Sequence, residues 1–137
     1  MKPAVVEAIR QLEEGAPGGV VESREDGSGG AYVLVRALDL GKAYAPSESW
    51  IAFHLTWTYP DGDVYPHFMD HAVSYIGGAA PNVHPEGNLP TSLARGNMVP
   101  GFELPAIQIS RRSQRWNPET DTALHKLLRV LDFIRSR

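Results

Sequence analysis

The sequence predicts an α+β domain in which an amphipathic helix at each end of the chain packs on an antiparallel sheet. Three observations carry this expectation. Near the start, Val5, Ile9 and Leu12 recur at i, i+4 and i+7, the spacing of one helix face. From Ser49 to Tyr59, Ile51, Phe53, Leu55, Trp57 and Tyr59 alternate with Ala52, His54, Thr56 and Thr58; a strict period of two belongs to a strand with one buried face. Near the end, Leu124, Leu127, Leu128, Leu131 and Ile134 form a single apolar stripe. The 137 residues are read as one domain, 1–137. A globule of that size buries roughly 68–70% of its unfolded surface, enough for a core without staples.

The elements follow in order. Pro3 suits the first turn of the leading helix, and Gly15, Pro17, Gly18 and Gly19 end it. Val20 to Arg24 is a strand, Asp26 to Gly30 a turn rich in residues that tolerate positive φ, and Tyr32 to Leu38 a second strand. After Ser49 to Tyr59, the run Pro60-Asp61-Gly62-Asp63 reverses the chain, with both aspartates as turn formers. Val73 to Ile76 is read as a short strand. Hairpin-length connections favour antiparallel pairing, so the expected sheet is a four-stranded meander. Between Tyr65 and Gly101 lie five prolines and five glycines, which predict a long irregular loop of the kind that carries function. Leu104 to Ser110 is a short extended piece. Asn117 is expected to cap the last helix, with Pro118 at its first position. Lys126, Arg129, Arg135 and Arg137 fall toward its C-terminus, where the helix dipole favours cations.

Composition excludes some chemistry. Without cysteine there is no thiol nucleophile, no disulfide and no thiolate metal site, a composition suited to a reducing cytoplasm. The first twelve residues lack the apolar core of a signal peptide, and no stretch approaches the 18 apolar residues of a membrane span. The expected location is cytoplasmic, with no membrane partner. The net charge of −3 is unevenly spread: residues 1–94 hold 5 basic and 12 acidic side chains, residues 95–137 hold 8 basic and 4 acidic. Such a dipole steers an acidic partner toward the C-terminal part. It falls short of the clearly basic domain expected of a nucleic-acid binder, and no nucleic-acid partner is expected. Arg111, Arg112 and Arg115 form the densest basic cluster; the default reading is a solvated surface, and the functional one is a docking patch for an acidic partner with a salt-dependent on-rate.

Several residues in this order carry a resemblance. Tyr65-Pro66 follows the meander; Asn82-Val83-His84-Pro85 and Gly87 come next; Trp116-Asn117-Pro118 then precedes the Leu124 and Leu127 stripe. Across most of the chain this succession resembles the ubiquitin-conjugating-enzyme (UBC) fold, with its Tyr-Pro and His-Pro motifs and its tryptophan and proline ahead of a packed helix. The family places a catalytic cysteine several residues after His-Pro, whereas Gly87 to Gly101 contains none. Neither Asn82 nor Asn88 matches the family's asparagine clearly enough to inherit its role. The resemblance therefore implies a bacterial conjugating-enzyme-like pseudoenzyme without a cofactor, binding a ubiquitin-like protein or another protein of such a pathway. The candidate apolar contacts are Leu89, Leu93, Met98, Val99 and Phe102, beside the arginine cluster; the competing reading is that these five cover the core beneath them.

Two alternatives retain catalysis. Thr91 and Ser92 lie near the position the resemblance assigns to the nucleophile, with His84 upstream, and a hydroxyl there would form an oxyester if a base activated it; the competing reading is turn hydrogen bonding after Pro90. Separately, His67, His71 and His84, with Asp70 and Glu86 close by, offer zinc ligands, and a His-x3-His pair shares one face if helical. The His-Glu-x-x-His pattern is absent, and the competing reading makes these ordinary loop residues. His54, on the outward strand face, and His125 are read as structural or solvated.

Overall fold

The computed structural model describes residues 1–77, 83–84 and 89–137. Helix α1 (Pro3–Gly15) starts on its proline, whose missing N–H would have had no intrahelical acceptor. It buries Val5, Ala8, Ile9 and Leu12. Strands β1 (Val20–Glu25) and β2 (Ala31–Asp39) form a hairpin. After a short β3 (Tyr44–Ala45), β4 (Glu48–Leu55) returns along β2, and β5 (His67–Asp70) along β4. Strand β6 (Ser74–Tyr75) pairs with β3, and β7 (Val83–His84) with β8 (Leu89–Pro90). The hairpin of β9 (Leu93–Met98) and β10 (Pro105–Ile109) then docks on β5, and helix α2 (Ala123–Arg135) closes the chain. The main sheet is antiparallel throughout in the order β1-β2-β4-β5-β10-β9.

Register decides what each face carries. Val33, Phe53, His67, Ile109 and Leu93 lie opposite one another in successive strands. They form one row of the face covered by both helices, where α1 and α2 bury their stripes in a common core. The other face carries Leu34, Ala52, Phe68 and Ala106, roofed by Val99, Phe102 and Leu104 from the β9–β10 turn. In that turn the Val99 amide donates to Leu104 O at 2.9 Å. Gly101 sits at φ +81°, and a Cβ built there would fall 2.2 Å from Tyr32 Cγ. Gly101→Ala therefore combines a disfavoured backbone with a steric conflict. Urea denaturation should record a loss of about 2 kcal/mol, and a loss under about 0.5 kcal/mol would contradict this packing.

The α+β class with a helix at each end is as expected, and β1-β2-β4-β5 is a four-stranded meander. Several boundaries are corrected. The alternating strand stops at Leu55, and a turn follows in which the Tyr59 amide donates to Thr56 O at 3.0 Å. Trp57 is consequently 64% exposed. The fourth strand of the meander is His67–Asp70, while only Ser74–Tyr75 of the 73–76 segment is extended, and in a separate pair. The expected irregular stretch between Tyr65 and Gly101 contains β5, β6, β7, β8 and β9; of its described prolines and glycines, Pro66, Gly77, Pro100 and Gly101 fall between strands, and Pro90 and Gly96 within them. Within β9, the register shift leaves Arg95 and Gly96 opposite Ile107, a bulge that Gly96 accommodates at φ +87°. Helix α2 begins at Ala123, capped by Thr122, whose hydroxyl accepts from the His125 amide at 3.1 Å. Asn117 instead organises the preceding turn, where its side-chain oxygen accepts from the Glu119 amide at 3.0 Å.

Candidate functional site

The segment from Ser110 to Asn117 joins β10 to α2 as a strap pinned along its length. At its start the Ser110 amide donates to Ser92 O at 2.8 Å. At its centre Ser113 donates twice to Asp63, from its amide at 2.8 Å and its hydroxyl at 2.9 Å. Further on, Trp116 Nε1 donates to Pro60 O at 2.6 Å and the Asn117 amide to Asp121 Oδ2 at 2.7 Å. The strap thus takes its position from the turn after β4 and from the start of α2.

Lys126 completes the central anchor. Its side chain is 2% exposed, and its ammonium donates to both Asp63 oxygens, at 3.0 and 3.1 Å, and to Ser113 Oγ at 2.7 Å. Burial pulls the Lys126 pKa below its ordinary value, against the opposing pull of Asp63. Burial pushes Asp63 up, but bonds from the Ser113 amide, the Lys126 ammonium and the Ser113 hydroxyl outweigh it and leave Asp63 below the usual carboxylate range. A lysine paired with an ionised carboxylate donates to the serine and does not deprotonate it. This triad therefore anchors the strap and leaves Ser113 unactivated.

Around that anchor the strap and α2 enclose a cleft of about 490 Å³, lined by Arg111, Arg112, Arg115, Arg129, Arg137 and Lys126. Asp132 is the one acid in the lining. Arg129 is paired with Asp121 at 2.6 Å and holds that carboxyl low, with help from the Asn117 amide. Among the described residues no carboxylate pairs with Arg111, Arg112, Arg115 or Arg137. Three of them rest on aromatic rings instead. Arg111 and Arg137 lie over Phe133, at 4.8 and 4.3 Å from its centroid, and Arg112 lies over Tyr65 at 4.0 Å. Stacking fixes a guanidinium without neutralising it, so the cleft keeps a surplus of oriented positive charge.

The arginines of the expected cluster line this cleft, joined by Arg129 of α2 and by Arg137 just beyond its end. The expected apolar contacts are not part of it. Leu89, Leu93 and Val99 are at most 2% exposed and belong to the core, because strands replace the loop predicted there. Phe102 packs on the sheet face away from the helices under the guanidinium of Arg24, and Met98 is exposed at the end of β9.

Ser92 lies in the β8–β9 turn at φ +78°, and among the described residues no histidine or carboxylate pairs with its hydroxyl. Thr91 is exposed beside it. The backbone of His84 pairs with Leu89; its side chain lies outside the described residues, as do Asn82, Pro85, Glu86, Gly87 and Asn88. His67 and His71 do not converge. His71 is exposed in the turn after β5, whereas His67 is fully buried on the core face, its ring centroid 5.0 Å from that of Phe53. Among the described residues neither nitrogen of His67 has a hydrogen-bond partner. Burial first, then repulsion from Lys126, takes its pKa down to about 3, with Asp63 pulling the other way. Among the described residues no group of three histidine or acidic side chains is arranged to hold a metal ion.

Two further pairings went unread in the sequence. Lys126, expected as a dipole-facing cation, lies three residues after the buried Ala123 and four before the buried Val130, on the apolar stripe itself. A charge on such a stripe is the signal of a buried partner. Asp26, expected as a turn residue, and His54, expected as structural or solvated, tie the β1–β2 turn to β4 with Oδ2 and Nε2 2.7 Å apart. The same carboxylate accepts the Ser28 and Gly30 amides, and it is held below its usual value chiefly by His54.

Fold and cleft together define an α+β protein with an anion-attracting groove between a strap and its C-terminal helix. Among the described residues no helix is long and apolar enough to cross a membrane. No family model, curated protein or solved structure matches the chain.

Proposed function

We propose that this chain is a non-catalytic, conjugating-enzyme-like binding protein that receives an acidic surface of a ubiquitin-like protein, or of another protein in such a pathway, in the arginine-lined cleft. The observation that carries the reading is the set of four arginines gathered around one cleft without carboxylate partners. Surface arginines that serve stability are ordinarily paired or dispersed, and like charges brought together raise the energy of the free protein. The resemblance names the partner class: a leading helix, a meander, Tyr65-Pro66 after β4, and Trp116 ahead of the final helix. The missing thiol removes thioester exchange, and binding is what remains. A cysteine-free chain of this kind suits the reducing cytoplasm, where we place it.

Calorimetric titration with any ubiquitin-like protein encoded in a neighbouring reading frame tests the reading. A complex should form whose affinity falls about tenfold or more on raising salt from roughly 50 to 300 mM and falls similarly in Arg111→Glu/Arg112→Glu. Circular dichroism of that variant should match the wild type. Incubation with the activating enzyme and ATP should leave no covalent adduct. A hydroxylamine-sensitive, reductant-resistant adduct would replace this reading with oxyester chemistry at Ser92 or Thr91. Absence of binding would remove it.

A further inference from the structure

The shape of the cleft narrows the chemistry of what enters it, on the reading above that the cleft recognises anions. Arg111 and Arg137 share the Phe133 ring, one reaching it from the strap and the other from the end of the chain. A guanidinium whose flat face is committed to a ring offers its N–H edge, and that edge is the part that pairs in a fork with two oxygens of an oxyanion. Arg112 also lines the cleft, its guanidinium carbon 4.0 Å from the centroid of the Tyr65 ring. The acids that might have satisfied these forks are occupied elsewhere. Asp63 is taken by Lys126 and Ser113, Asp121 by Arg129, and Asp132, 81% exposed at its side chain, faces Arg135 at 4.0 Å.

We infer that the cleft is a phosphate-monoester site. A run of carboxylates spreads its charge along an extended chain and matches a flat basic stripe. A phosphate monoester concentrates up to two negative charges on three terminal oxygens at one point, and so matches several guanidinium groups gathered around one concavity. The volume of about 490 Å³ admits the phosphoryl group together with the moiety that bears it. The buried Asp63–Ser113–Lys126 anchor supplies the rigidity such a site needs, because it fixes the point from which Arg111, Arg112 and Arg115 project. The monoester has two possible carriers, a phosphorylated side chain on a protein partner or a free phosphorylated small molecule.

The test titrates the full chain with three probes: inorganic phosphate, a phosphoserine peptide, and the same peptide with glutamates at and around the serine. Phosphate is followed by phosphorus NMR and the peptides by calorimetry. Phosphate or the phosphopeptide should bind saturably with Kd below about 1 mM, and Arg111→Gln/Arg137→Gln should weaken it about tenfold or more. Arg36→Gln, outside the cleft, should leave it unchanged. A phosphopeptide at least about tenfold tighter than phosphate identifies a protein carrier, and equal affinities identify a small molecule. Tighter binding of the glutamate peptide, with phosphate neither binding nor competing, overturns the phosphate assignment while leaving acidic-protein docking in place. Phosphate binding without recognition of any ubiquitin-like protein does the reverse. Binding unaffected by the arginine variant places the phosphate elsewhere and also overturns the assignment.

Discussion

Lys126→Ala is expected to cost about 3 kcal/mol of folding stability, a fall in Tm of roughly 10 °C for a domain of this size. Lys126 lies in the apolar stripe of α2 between Ala123 and Val130 and is 2% exposed. Truncation removes three charge-assisted hydrogen bonds and the packing of a long stem. It also strands Asp63, which keeps its charge in a partly buried position with only Ser113 for company. The loss of the counter-charge, more than the loss of the contact, sets the size of the effect. Lys126→Met keeps most of the volume and should recover the packing part alone. Asp63→Asn keeps an acceptor for Ser113 while removing the charge, and combining it with Lys126→Met should cost less than the two single losses added together. The cleft responds too. With the strap loosened at Ser113, anion binding should weaken although every arginine remains. A loss below about 1 kcal/mol for Lys126→Ala, measured by urea denaturation at neutral pH, would mean that the ion pair does not hold the strap.

What the sequence disclosed and what it concealed follow a physical division. The stripes of α1 and α2 and the alternation up to Leu55 were legible because each is a local period that a buried face enforces. The same alternation ran on through Trp57 and Tyr59 and misled, since Tyr59 is buried from within a turn, with its hydroxyl accepting from the Ala123 amide at 3.1 Å. The β9–β10 hairpin was illegible for two reasons. A bulge at Arg95-Gly96 breaks its period, and its value lies in pairing with β5, a contact distant in sequence. For want of that hairpin, Leu89, Leu93 and Val99 were read as a partner surface when they are core. The arginine cluster was visible as Arg111, Arg112 and Arg115. That Arg129 and Arg137 join it depends on α2 lying beside the strap, which no local pattern announces. Asp63 looked like a turn former because Pro60 to Asp63 is indeed a turn, and its second task appears only once Lys126 is seen to be buried above it.

His67→Leu should make the protein more stable at neutral pH, by about 1 kcal/mol or more, and the advantage should grow in acid. The wild-type ring is buried among Phe53, Ile109 and the helices, and among the described residues neither nitrogen has a protein partner, so a donor and an acceptor sit in the core without a hydrogen bond from the chain. A leucine of similar volume removes that cost and keeps the row of apolar side chains across the sheet. The pH dependence follows from the direction of the shift. The folded-state pKa is lowered to about 3 from an ordinary 6.5, so the unfolded chain takes up the proton first. Stability from this group is complete above the unfolded value and is lost as pH falls from about 6.5 toward about 3, at up to ~1.4 kcal/mol per pH unit. At pH 4.5 the wild type should have lost roughly 2 to 3 kcal/mol through His67 alone, a loss the leucine variant escapes. Asp63 and Asp26, both held low, add their own losses at still lower pH, and these are common to both proteins. Urea denaturation of the pair at pH 7, 6, 5 and 4.5 isolates the histidine, because only its contribution differs. A gap that stays constant across this range would mean that the ring is hydrated or paired in solution, and a wild type more stable than the variant at pH 7 would mean that His67 has a partner in the core.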